Sequence, residues 1–169
     1  MVSPIVVHVI GFTAFILILS IVIGYVGYRT YTLILESEKK TLEKIAESIS
    51  LQIQYVLWLD TNISISLRYP LESTYDRMYN IELGSGNVLK KKYPFLSNEL
   101  NDNALYVLTL SVDNRVYGYS IITMNSTKKP IYLSQNPSVF SSGSITVIEK
   151  IDYLTNIRIN VYIKGVKTS

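Results

Sequence analysis

Residues 5–28 read IVVHVIGFTAFILILSIVIGYVGY, an unbroken apolar run without a formal charge. A helix needs about 20 such residues to cross the hydrocarbon core of a bilayer, so the run predicts a membrane-spanning helix. Tyr25, Tyr28 and Tyr31 gather at its end and Arg29 brings the first charge. Amphipathic rings and a cation suit the boundary between lipid and water, and these four residues are read as the membrane interface. Beyond Arg29 the chain stays rich in helix formers and has no glycine or proline until Pro70, so the helix is expected to continue. Its pattern now changes. Leu42, Ile45, Ala46, Ile49, Ile53, Val56 and Leu57 recur in steps of three and four, marking one face of an amphipathic helix, while Glu36, Lys40, Glu43, Lys44 and Glu47 lie elsewhere on it. From Pro4 to Leu57 such a helix would be about 80 Å long at 1.5 Å per residue. The apolar stripe needs a partner, either the chain's own C-terminal domain or the helices of neighbouring subunits.

After Trp58 the period drops to two. Residues 62–69 alternate Ile63, Ile65, Leu67 and Tyr69 with polar neighbours, as a half-buried strand does. Further strands are expected at 78–83, 88–92, 104–112, 115–123, 130–134, 144–151 and 157–163. Gly84-Ser-Gly86 and Asp113-Asn114 tolerate positive φ and are expected to turn hairpins. Short strands at regular spacing with no helical pattern between them imply an all-β antiparallel sandwich of the immunoglobulin-like type. The chain thus divides into a transmembrane helix (1–31), an amphipathic helical stalk (32–58) and a β-sandwich domain (59–169). A chain beginning near Trp58 is expected to be soluble and β-rich.

Charge and composition narrow the chemistry. Every Lys, Arg, Asp and Glu lies at or after Arg29, and the net charge of +3 is spread over interspersed signs. Nucleic acid binding calls for clustered cations, so none is expected. There is no cysteine, hence no disulfide, thiolate nucleophile or cysteine-type zinc site, and the one histidine, His8, lies in the apolar run. Gly84-Ser-Gly-Asn87 lacks the Lys-Ser or Lys-Thr of a phosphate loop. Lys90-Lys-Lys92 and Lys128-Lys129 are the basic runs and read as solvated strand ends. Asp60, Asp76, Asp102, Asp113 and Asp152 are scattered without the spacing of a calcium loop. No catalytic residue, metal ligand or cofactor is expected, and the chain is read as a non-enzyme.

Orientation rests on opposing signals. Arg29, Lys39 and Lys40 follow the span and nothing basic precedes it, which by the positive-inside count favours a cytoplasmic C-terminal part. Long domains cross largely regardless of charge. Asn62-Ile-Ser64 and Asn125-Ser-Thr127 are N-glycosylation acceptor patterns, making Asn62 and Asn125 candidate sites on an outward-facing domain. The outward placement is the one expected.

A charge-free N-terminal span that runs into an amphipathic helix and then a cysteine-free β-domain resembles the archaeal relatives of type IV pilins. The likeness covers the whole chain in layout, closest to the archaellum accessory proteins F and G. Processed members carry basic residues before a cleavage point, whereas Met-Val-Ser-Pro precedes the apolar run here. What the resemblance implies is a single-pass protein of the cell membrane with its domain in the archaeal pseudo-periplasm. It would act as an accessory or stator protein of the archaellum, fixing the motility machinery to the envelope. Its implied partners are membrane lipid, surface-layer protein and other accessory or filament subunits, in a homo- or hetero-oligomer. A minor pilin of an adhesion filament and a single-span sensor or binding module are the alternatives.

Overall fold

The computed structural model describes residues 3–59, 62–67, 79–123, 131–133, 138–140, 146–152 and 157–163. One helix, α1 (Pro4–Trp58), opens the chain, with Pro4 at the first helical position, where a missing N–H costs nothing. Two compact units follow the change of pattern read from the sequence: Met1–Ser37 and Glu38–Ser169.

In the first unit α1 is apolar all round, and residues 3–31 are exposed on every side. Its hydroxyls are turned back onto the helix. Thr13 Oγ1 donates to the Val9 carbonyl at 2.9 Å and Ser20 Oγ to the Ile16 carbonyl at 2.8 Å. Such back-bonding satisfies the side chain without water, so this one N-terminal helix is long and apolar enough to span a membrane.

Among the described residues, the second unit holds the rest of α1, eight strands and a short helix. The strands are β1 (Ile63–Leu67), β2 (Tyr79–Ser85), β3 (Leu105–Ser111), β4 (Tyr117–Ile122), β5 (Ile131–Leu133), β6 (Ser138–Phe140), β7 (Thr146–Asp152) and β8 (Ile157–Ile163). They form two four-stranded sheets, ordered β1-β7-β8-β5 and β4-β3-β2-β6. Each has a core of three antiparallel strands and a three-residue strand at one edge; β6 joins β2 antiparallel, but β5 joins β8 parallel. Helix α2 (Gly86–Lys92) and a single 3-10 turn (Pro94–Leu96) fill the connection between β2 and β3.

The layering around β3 explains its sequence. All seven residues of β3 are buried, so both of its faces must be covered. Tyr106, Leu108 and Leu110 point one way and form a core with Leu89, Tyr93, Leu96 and Leu100 from α2 and the turn after it. Leu105, Val107 and Thr109 point the other way, toward α1. The Thr109 hydroxyl donates to the Leu42 carbonyl at 2.8 Å, Ser50 and Ser120 hydroxyls meet at 2.8 Å, and Gln54 Nε2 donates to the Ile121 carbonyl at 3.3 Å. Gly118, opposite Thr109 in the β3–β4 register, makes the close approach possible. A Cβ there would press on the Glu43 nitrogen and lie 2.6 Å from the Leu42 carbonyl carbon.

Four readings of the sequence change accordingly. Helices cover this sheet on both faces, so the expected immunoglobulin-like all-β sandwich gives way here to a helix–sheet–helix layering. The amphipathic stretch of α1 is part of the domain's core, with Leu42, Ile45, Ala46, Ile49, Ile53, Val56 and Leu57 all buried. It is no free stalk, and its partner is the chain's own domain. Residues 88–92, expected as a strand, are helical because Val88, Leu89 and the three lysines place one residue, Leu89, inward and leave the others partly or fully exposed. Gly84-Ser-Gly86 therefore leads from a strand into a helix instead of turning a hairpin. The remaining hairpin expectation is met: Asn114 sits at φ 56° between β3 and β4, closed by a bond from the Asn114 N–H to the Ser111 carbonyl. Strand β6 was not anticipated.

Candidate functional site

The predicted interface residues Tyr25, Tyr28, Arg29 and Tyr31 are all exposed on α1. Tyr25 and Tyr28 close the apolar run and Arg29 and Tyr31 follow it, so amphipathic rings and a cation gather at the end of the segment that is long and apolar enough to span a membrane. Asn62 is exposed immediately before β1. Asn125, Lys128, Lys129, Asp60 and Asp76 lie outside the described residues.

The strongest polar cluster was not foreseen. Glu82 is on the β2 face that looks toward α2 and is buried. Its Oε1 accepts from Lys92 Nζ at 2.6 Å, from the Tyr93 hydroxyl at 2.7 Å and from Asn80 Nδ2 at 3.2 Å. Burial first, then the bond to Glu82 and its charge, pushes the Tyr93 phenol well above its usual range. Three donors converging on one carboxylate oxygen fix the end of α2 against β2, a tie rather than a reactive group. Lys92 thus has a different role from its neighbours in the Lys90-Lys-Lys92 run, where Lys90 pairs with Asp102 at 2.8 Å on the surface. Alternation in β2 puts Asn80 and Glu82 opposite the core residues Leu110 and Leu108, on the face that α2 covers; reading residues 88–92 as a strand leaves no helix to supply the donors.

A second cluster lines the domain beside α1. Tyr117 donates to Glu99 Oε1 at 2.8 Å and lies 5.0 Å from Phe95, ring centre to ring centre, while Lys39 Nζ stands 5.7 Å over its ring. Burial, with the neighbouring Glu99 bond and charge, raises the Tyr117 phenol to about 12.

The third feature ties α1 itself. The last turn of α1 has no basic residue, yet its carbonyls carry the negative end of the helix dipole. Lys150 of β7 supplies the cation. It is 1% exposed, donates to the Leu57 carbonyl at 3.1 Å, and also donates to the Leu59 carbonyl. A lysine in an alternating strand pattern gave no hint of this from sequence. Its partners are more than ninety positions away.

Together these groups attach α2 to β2 and α1 to the sheets. Among the described residues no cluster of three or more His, Asp or Glu is arranged to hold a metal ion. No family model, curated protein or solved structure matches the chain.

Proposed function

We propose that the protein is a single-pass membrane anchor whose domain lies outside the cytoplasm and grips a partner of the cell envelope. The specific role proposed is an accessory or stator protein of the archaellum that holds the motility machinery by binding surface-layer protein or a sister accessory subunit. The observation that carries the mechanical part of this reading is the way α1 enters the domain. Thr109, Ser120, Ile121 and Lys150 bond to residues of the same helix whose earlier turns are apolar on all sides. Load taken by the domain is then passed to α1 through several bonds and a buried apolar face, whereas a flexible linker would not resist displacement. The direct test is retention of the full chain, solubilised in mild detergent, on immobilised surface-layer protein and on the sister accessory subunit. Binding to one of them supports the role; passage through both columns removes it.

The minor-pilin reading is favoured by one feature, the exposed apolar turns of residues 5–28, which neighbouring copies would cover in a filament. Mass spectrometry of the mature N-terminus separates the two, since cleavage ahead of the apolar run supports the pilin and an intact start supports the anchor.

A further inference from the structure

Strand β1 is the outermost strand of its sheet. It pairs with β7 from Ile63 opposite Lys150 to Leu67 opposite Thr146, and among the described residues nothing pairs with its other side. An open edge presents unpaired N–H and C=O groups to any extended segment, and proteins protect such edges with charge, proline, a bulge or a cover. The β1 sequence, ISISL, has neither charge nor proline. At its head stands the acceptor triplet Asn62-Ile63-Ser64. Asn62 and Ser64 are exposed, and Ile63 between them is half-buried. The alternation of an extended chain therefore turns both residues that the modification requires outward on one side and the apolar residue inward.

We propose that Asn62 is N-glycosylated and that its glycan guards the edge of β1 that no described residue pairs with. The inference rests on the outward placement of the domain proposed above, because this modification belongs to chains delivered outside the cytoplasm. The donor would be a lipid-linked oligosaccharide acted on by a membrane oligosaccharyltransferase. The Asn62 side-chain nitrogen bonds to the anomeric carbon of the sugar, the bond from that carbon to the lipid phosphate oxygen breaks, and the phosphate lipid leaves. The carboxamide nitrogen gives one proton to the transferase's base, so no oxidant or reductant is needed. A bulky, hydrated chain beside the first residue of the strand would keep a second copy's edge from pairing with it.

The test uses the full chain purified from the membranes of the cells that make it. The peptide containing Asn62 is weighed, and the expected result is a sugar mass on most copies. That mass should vanish in Asn62→Gln and in Ser64→Ala but persist in Ser64→Thr, which keeps the acceptor pattern. Sedimentation in detergent reads the second half of the proposal: Asn62→Gln should associate at protein concentrations where the glycosylated chain does not. A glycosylated chain and an Asn62→Gln chain that sediment alike would overturn the guarding role. Orientation is read separately. The chain has no cysteine, so an Asn98→Cys chain carries one exposed thiol, available to a membrane-impermeant maleimide on intact cells only if the domain faces outward. Labelling together with an unmodified Asn62 peptide overturns the glycosylation proposal and leaves the outward placement standing. Absence of labelling, with labelling restored after the membrane is opened, overturns both.

Discussion

The contact between α1 and the sheet at Gly118 is backbone to backbone, and its disruption has a calculable consequence. Replacing Gly118 by alanine would place a methyl carbon 2.6 Å from the Leu42 carbonyl carbon and 2.7 Å from the Glu43 Cα. Carbon atoms rest at about 3.5–4.0 Å, and both neighbours are helix backbone, which has no rotamer to yield. The helix must therefore withdraw by about 1 Å at this crossing. A displacement of that size carries the 2.8 Å bond from Thr109 to the Leu42 carbonyl beyond hydrogen-bonding range, and the Ser50–Ser120 contact is at the same distance. Overpacking of this kind costs about 1–3 kcal/mol, and a lost bond about 1 kcal/mol more. The expected destabilisation is about 3 kcal/mol, and at about 3–6 °C per kcal/mol for a domain of this size the melting temperature should fall by about 9–18 °C. The assay is thermal unfolding of the full chain in detergent, followed by near-ultraviolet circular dichroism of its tyrosines. Gly24→Ala is the control, because nothing lies within 4 Å of a Cβ at that position, and it should leave the transition in place. If Gly118→Ala melts within about 2 °C of the parent chain, the helix does not cross the sheet at this distance and the layering is refuted.

Four further perturbations probe other joints. Lys150→Met removes the cation from the end of α1 and should lower stability by about 1–3 kcal/mol in denaturant titration, more than Lys91→Met on the exposed side of α2. Asn114→Val places a β-branched residue at φ 56° and should cost about 1–2 kcal/mol, while Asn114→Gly should be neutral or stabilising; equal melting temperatures for the two would contradict the turn. Tyr93 and Tyr117 have folded-state pKa values above the unfolded value of about 10. The folded state holds these protons more tightly, so their contribution is fully present below pH about 10 and is lost as pH rises through the folded values; Glu99→Gln should bring the tyrosinate absorbance of Tyr117 down from about 12 toward the ordinary range. Finally, a chain cut to begin at Ser37 should melt cooperatively, and one cut to begin at Trp58 should not. The second cut removes Leu42, Ile45, Ile49, Ile53, Val56 and Leu57, whose burial is worth on the order of 10 kcal/mol, comparable with the whole stability of an ordinary domain at about 5–15 kcal/mol.

How much of this was legible in the sequence depended on whether the deciding interaction was local. The span and the extent of α1 follow from hydropathy and from the absence of breakers, both properties of neighbouring residues, and the helix ends at Trp58, the last residue of the expected helical segment 32–58. Seven of the eight strands fall at or within a few residues of expected positions because alternation is also local. The short helix α2 was missed because Val88 and Leu89 followed by three lysines fits a strand end as well as a helix turn. Only the contacts of Leu89, Tyr93 and Leu96 with Tyr106, Leu108 and Leu110 decide between them. The anchoring groups were less legible still. Glu82 stands ten and eleven residues before Lys92 and Tyr93, and Lys150 reaches a helix whose end lies far earlier in the chain. One signal was available and unused: glycine inside a strand marks close approach of another backbone, and Tyr117-Gly118-Tyr119 is such a strand.

The two halves of α1 are stabilised by different surroundings, and this is why one pattern change mattered more than any motif. Residues 5–28 have no polar face, so in water they would expose apolar side chains on every side; residues 38–58 have one apolar stripe and a polar back, so the stripe alone requires cover. Sheet residues meet that requirement through Thr109, Gly118 and Ser120, and they do so with backbone and hydroxyl contacts that tolerate little sliding. Apolar burial by itself would permit the helix to shift along the sheet by a turn, since the stripe repeats. The glycine at 118 and the lysine at 150 remove that freedom at two points, one mid-helix and one at its end. A helix fixed in register in this way can transmit axial load into the sheet, which a helix held only by a greasy stripe cannot. Gly118→Ala and Lys150→Met should therefore lower the force at which α1 is pulled from the domain more than an exposed change such as Lys91→Met.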